Sequence, residues 1–141
     1  MDLLLWRGYK VYSYDEDNGI DYVGNFLEKL AIVDEEETHQ IMRFFIERLE
    51  NGIGLPNEWK QGKNPKLKDL GKEVKKNKNL WEYRGKSKSK KLLIRIYFGV
   101  DKPNRKIVLL DAHFKKDNKH QKRELETVRK RWQRYKEGVR K

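Results

Sequence analysis

Apolar residues recur along this chain with two periods, and the switch between them separates helices from strands. Residues 9–14 (YKVYSY) are aromatic and β-branched, which predicts a strand, and the polar run DEDNG ends it. Tyr22, Phe26 and Leu30 then fall four residues apart with Val23 and Leu27 beside them, so one side of a short helix is apolar. Asp34 followed by Glu37 is a variant of the capping box and starts a second helix. Ile41, Phe45 and Leu49 form its buried row, helped by Met42 and Ile46, and Asn51-Gly52 stops it. Two helices joined by so few residues predict an antiparallel hairpin. Residues 53–78, rich in Gly and Lys with Pro56 and Pro65, predict a long connection with one helical or extended turn around 67–70. Strands are predicted over 80–84, 92–100 and 107–114, and the short breaks GKSKSK and DKPNR favour an antiparallel meander. Leu125, Val128, Trp132 and Tyr135 share one face of a final helix.

Strand alternation assigns these residues to faces. Leu92, Ile94, Ile96 and Phe98 point one way on the middle strand, and Leu93, Arg95 and Tyr97 the other. Val108, Leu110, Ala112 and Phe114 can join the apolar side under the helices, which leaves Asp111 and His113 opposite. Trp81 and Tyr83 alternate with Glu82 and Arg84. If the registers agree, one sheet face collects Glu82, Arg84, Arg95, Tyr97, Asp111 and His113, with Lys115 and Lys116 at its exit.

Charge sharpens this picture. Residues 71–141 hold 25 Lys/Arg against 8 Asp/Glu, whereas residues 1–70 hold 9 against 14. Positive charge concentrated in one half points to an anionic partner, nucleic acid or an acidic protein. The chain has no cysteine, so disulfides and thiolate metal sites are excluded. The start MDLLLWRGYKVY is too short and too soon charged for a signal peptide, and no run approaches 18 apolar residues. A soluble cytoplasmic protein of one domain, residues 1–141, is the expectation, with no membrane association.

The polar face suits phosphate chemistry. Cleaving RNA through its own 2′-hydroxyl needs a base for that hydroxyl, an acid for the leaving oxygen and cations against the charge on phosphorus. Arg pairs bidentately with phosphate, and His113 can serve as acid or base with Asp111 orienting it. The same residues also fit a plainer reading, cross-strand ion pairs on an open sheet face. The Trp81 and Trp132 positions read as core. His39, His113 and His120 lack the helical i, i+4 spacing of a metal pair, and no P-loop, Rossmann glycine fingerprint or GxSxG motif occurs. No cofactor is expected.

NLWEYRGK, LLIRIYFGV, KIVLLDAHFKKD and the charged terminal helix, in that order, resemble the RelE/ParE toxin superfamily, closest to its phage-derived RelE-like and HigB-type branch. YKVYSYDEDNGIDYVGNFLEKL is similar to that branch's first strand and helix. The resemblance implies an α+β fold, a twisted antiparallel sheet packed on an N-terminal helical hairpin with a basic C-terminal helix. It implies a toxin of a type II toxin–antitoxin pair that cleaves mRNA on the ribosome without metal. Its partner would be a small acidic antitoxin of the helix-turn-helix kind. ParE-type relatives instead inhibit gyrase without cutting RNA, and a repurposed phage RNA-binding protein is a third reading. By resemblance, Arg84, Arg95, Asp111 and His113 are the catalytic candidates, and Lys66, Lys68, Lys115 and Lys116 the RNA-binding ones; Arg123, on a basic face of the final helix, is a further RNA-binding candidate.

Overall fold

The computed structural model describes residues 6–52, 66–72, 74–88 and 91–140; the 53–65 part of the expected connection lies outside them. In chain order the elements are β1 (Lys10–Ser13), α1 (Tyr22–Val33) and α2 (Glu35–Met42), which runs directly into a π-helical segment, Arg43–Glu50. Then come β2 (Leu67–Asp69), a 3-10 turn (Lys75–Asn77), β3 (Leu80–Ser87), β4 (Leu92–Asp101), β5 (Lys106–Phe114) and α3 (Asn118–Arg140).

Local chemistry accounts for the element ends. The Asp21 carboxylate accepts from the Gly24 N–H at 2.8 Å and the Asp34 carboxylate from the Glu37 N–H at 3.0 Å, capping α1 and α2. The wider turns of the π-helical segment close with the Asn51 N–H on the Ile46 carbonyl, 2.7 Å away and five residues back. That winding sets Phe44, Phe45 and Leu49 into the core with Ile41, while Met42 turns out to solvent, against the sequence expectation. Between β4 and β5 the DKPNR turn is held by Asp101, whose carboxylate accepts from the Asn104 backbone and side chain.

The five strands run in the order β1-β5-β4-β3-β2. The meander β3-β4-β5 is antiparallel, as the short breaks predict, and β2 adds a further antiparallel strand on β3. The sheet is nevertheless mixed, because β1 lies parallel to β5 with Lys10 opposite Lys106 and Ser13 opposite Leu109. An all-antiparallel sheet is therefore corrected at this edge. No hairpin turn joins these two strands, so packing of the helical hairpin sets their direction.

Helices cover both sides. Val23 and Leu30 of α1, with Ile41, Phe44, Phe45 and Leu49, pack on Tyr83, Ile94, Ile96 and Phe98. On the other side Val128, Trp132 and Tyr135 of α3 pack on Leu80, Tyr97, Val108 and Leu110, with Tyr14. The polar sheet face is thus not open, as alternation alone suggests, but partly roofed by α3. A β-bulge causes a second departure. Tyr97 pairs with Asp111 but Phe98 pairs with Leu109, so Leu110 is an extra residue on β5. Ala112 and Phe114 reach the helical hairpin as expected, but Val108 and Leu110 turn to α3 and Ile107 and Leu109 take their place. Leu92, also expected under the hairpin, is exposed at the start of β4. No described helix is long and apolar enough to cross a membrane.

Candidate functional site

Two rows of side chains cross the sheet on the α3 side. The register sets Lys68 of β2, Glu82 of β3, Tyr97 of β4 and Asp111 of β5 side by side. Arg84, Arg95 and His113 form the adjacent row. All six polar strand residues thus share one face, as alternation predicts, because the bulge at Leu110 restores the phase needed by Asp111 and His113.

What separates them is the roof. Near its N-terminus α3 stands off the sheet and leaves a groove of about 450 Å³. Glu82, Arg84 and Tyr97 line it from the sheet, with Lys68, Lys115 and Lys122 adding ammonium groups and Gln121 and Leu125 facing them from α3. Glu82 is the organising acceptor: the Arg84 Nε–H donates to it at 2.7 Å and the Gln121 amide at 3.3 Å. The same amide lies 3.4 Å from the Tyr97 hydroxyl. Burial, and then the Glu82 charge, push the Tyr97 phenol far above its ordinary pKa, so the group remains a proton-bearing hydroxyl.

Arg95 is buried behind this groove. Its Nη1–H donates to the Ile94 carbonyl at 2.9 Å and its Nε lies 3.7 Å from Glu82. Burial lowers its pKa, opposed by Glu82. It supports Glu82 from below and does not line the groove.

Asp111 and His113 lie deeper under α3. Arg131 reaches Asp111 at 3.1 Å and donates from the same Nη1 to the Leu110 carbonyl at 2.8 Å, so it braces the bulge from the helix. Burial pushes the Asp111 carboxyl well above the usual range, and the proton it shares with Glu124 holds that second carboxyl down. His113 stacks on Tyr97 with ring centroids 5.5 Å apart and meets His120 edge-on at 5.6 Å. Burial lowers the His113 pKa, opposed first by Glu124, which favours the neutral imidazole.

Of the sequence candidates, the groove gathers Arg84, Lys68 and Lys115, with Arg95, Asp111 and His113 behind it. Lys66 offers its backbone carbonyl to the Arg84 N–H at 2.7 Å. Lys116 and Arg123 are exposed and are not among the lining residues. Sequence reasoning does not single out Gln121, Lys122 or Glu124. The available signal is helical: Gln121 and Glu124 flank the α3 stripe that begins at Leu125, one turn before Val128. No family model, curated protein or solved structure matches this chain.

Proposed function

We propose that the chain is a RelE-like toxin that binds RNA in the groove between β3, β4 and α3 and cleaves it as an endoribonuclease. The observation that supports this reading is the meeting of four cations, Lys68, Arg84, Lys115 and Lys122, with a carboxylate and a phenol, Glu82 and Tyr97, in one groove. Arg84 is oriented by its bond to Glu82, which leaves its terminal nitrogens for a phosphate. In this scheme Glu82 accepts the proton of the ribose 2′-hydroxyl, and the 2′-oxygen attacks phosphorus. The four cations offset the charge on the five-coordinate phosphorus, and a rim ammonium group supplies the proton with which the 5′-oxygen departs. A 2′,3′-cyclic phosphate and a 5′-hydroxyl result. This route uses the substrate's own nucleophile and needs no bound ion. The acidic antitoxin implied by the family resemblance would compete for the same cations.

A second reading, RNA binding without cleavage, draws on the burial of Asp111 and His113 away from the groove. One experiment separates the two. Inducible expression with mapping of mRNA 5′ ends should reveal new ends within minutes, and Arg84→Ala should remove them while the protein stays folded. Unchanged ends alongside retained RNA binding would leave the second reading in place.

A further inference from the structure

Beneath α3 lies a cluster that the cleavage scheme does not use. Asp111 and His113 from β5 and Glu124 from α3 each offer one ligand atom, and these atoms all lie within 4.8 Å of one another. The His113 Nδ1 is 4.0 Å from Glu124, and the His120 Nε2 lies 3.6 Å from the other Glu124 oxygen. Three atoms here are buried without a hydrogen-bond partner: Oδ2 of Asp111 and both ring nitrogens of His113. The Asp111 side chain is only 10% exposed and that of His113 12%. A buried polar atom left unpaired costs about 1–3 kcal/mol, and a proton shared between the two carboxylates does nothing for the imidazole.

Arg131 explains why Asp111 has an oxygen to spare. It takes Oδ1 and also lies 3.3 Å from Asp17, which Arg134 pairs from the other side. Three carboxylates, Asp17, Asp111 and Glu124, therefore face two guanidinium groups. The proton that Asp111 and Glu124 share offsets the one charge left over, and an ion bound beside Oδ2 and the imidazole would take its place.

We propose that Asp111, His113 and Glu124 bind a divalent transition-metal ion of the zinc class, which ties α3 to β5. One imidazole and two carboxylates suit zinc, cobalt, nickel or manganese better than magnesium or calcium. Metal–ligand bonds of roughly 2.0–2.2 Å imply donor separations of about 3.3–3.6 Å in a tetrahedral site, so an ion would draw these side chains together by about 1 Å. His120, on the same helix face as Glu124 and one turn before it, flanks the open coordination position.

The test uses the full chain stripped with chelator and titrated with Co²⁺. Visible d–d absorption should saturate at one equivalent, yield to Zn²⁺, and accompany a rise in the unfolding midpoint, because an ion that binds only the folded state stabilises it. Mg²⁺ should do neither. Loss of a ligand through His113→Ala or Glu124→Gln should weaken Co²⁺ binding by more than about tenfold, at least the effect of losing a supporting group. His39→Ala, at an exposed position of α2, should leave binding unchanged. Absence of the absorption band, or a band that survives both ligand variants, would overturn the site. Should His113→Ala fail to fold, Glu124→Gln alone decides. Arg84 and the groove lysines are not ligands, so this result and the RNA reading are separable.

Discussion

At Gly99 the absence of one carbon decides how α3 lies on the sheet. The residue sits on β4 between Leu80 and Val108, and a Cβ built there would collide with the indole of Trp132. Hydrogen lets that ring lie on the strand and stack on Tyr135, with centroids 5.4 Å apart and planes 5° from parallel. The ring is rigid and its surroundings are buried, so it has no cheap way to yield. Gly99→Ala should destabilise the fold by about 1–3 kcal/mol, the usual cost of overpacking. Urea unfolding checks this, and a midpoint equal to that of the parent protein would count against the contact. Leu110 illustrates the opposite case, in which one added residue changes the chemistry. Without the bulge the alternation that directs Val108 to α3 would direct Asp111 and His113 to the helical hairpin.

At the scale of elements, α2 is docked on β3 through a group that resists its own charge. Glu37 is buried, and one of its oxygens has no hydrogen-bond partner. Burial raises its pKa, opposed first by Lys66 and then by the Lys86 backbone N–H. A carboxyl with a raised pKa in the folded state incurs no penalty below its unfolded value. The penalty grows as pH rises from that value through the folded one. Glu37→Gln should therefore match the parent near pH 4 and become progressively more stable towards neutral pH, as measured by urea unfolding at each pH. A constant difference across that range would mean that ionisation of Glu37 is not the cause. The capping carboxylate Asp34, two turns of chemistry in one residue, also accepts from the Ser87 hydroxyl at 2.7 Å and fixes the same junction.

These elements also mark where sequence is informative. Period and caps are local, so the helices, the meander and the gathering of Glu82, Arg84, Arg95, Tyr97, Asp111 and His113 on one face could be read directly. Three features depend on distant parts of the chain and could not. A bulge leaves no composition signal, since Leu110 is as apolar as its neighbours. The direction of β1 is chosen against a partner far away in sequence. The placement of α3 converts an open polar face into a half-covered one, so Arg95, Asp111 and His113 became buried while Gln121, Lys122 and Glu124 joined the site.

For the whole molecule, the charge asymmetry acquires a location. The groove cations come from β2, β3, the segment after β5 and α3, and Asp17 and Asp101, both outside the groove, hold Arg134 and Tyr135 of α3 in place. Affinity for single-stranded RNA should therefore depend on the four groove cations more than on the net charge. With four phosphate contacts, log K against log salt should fall with a slope of about −3, from roughly −0.7 per contact. Fluorescence anisotropy of a labelled oligonucleotide across a salt series measures it. A slope near zero would move the RNA to another surface.

The parallel pairing of β1 with β5 carries a consequence in time. Lys10 meets Lys106, so 96 residues separate strand partners at the edge of the sheet. At synthesis rates of about 5–20 residues per second, the first strand waits roughly 5–20 s for its neighbour to be made. Until β3 and β4 are made, the apolar side of α1 and α2 has no sheet to cover, and the cations of the groove do not yet exist as a set. The nascent chain thus acquires its candidate RNA-binding surface only after the first turns of α3, the last element to line the groove, have been made.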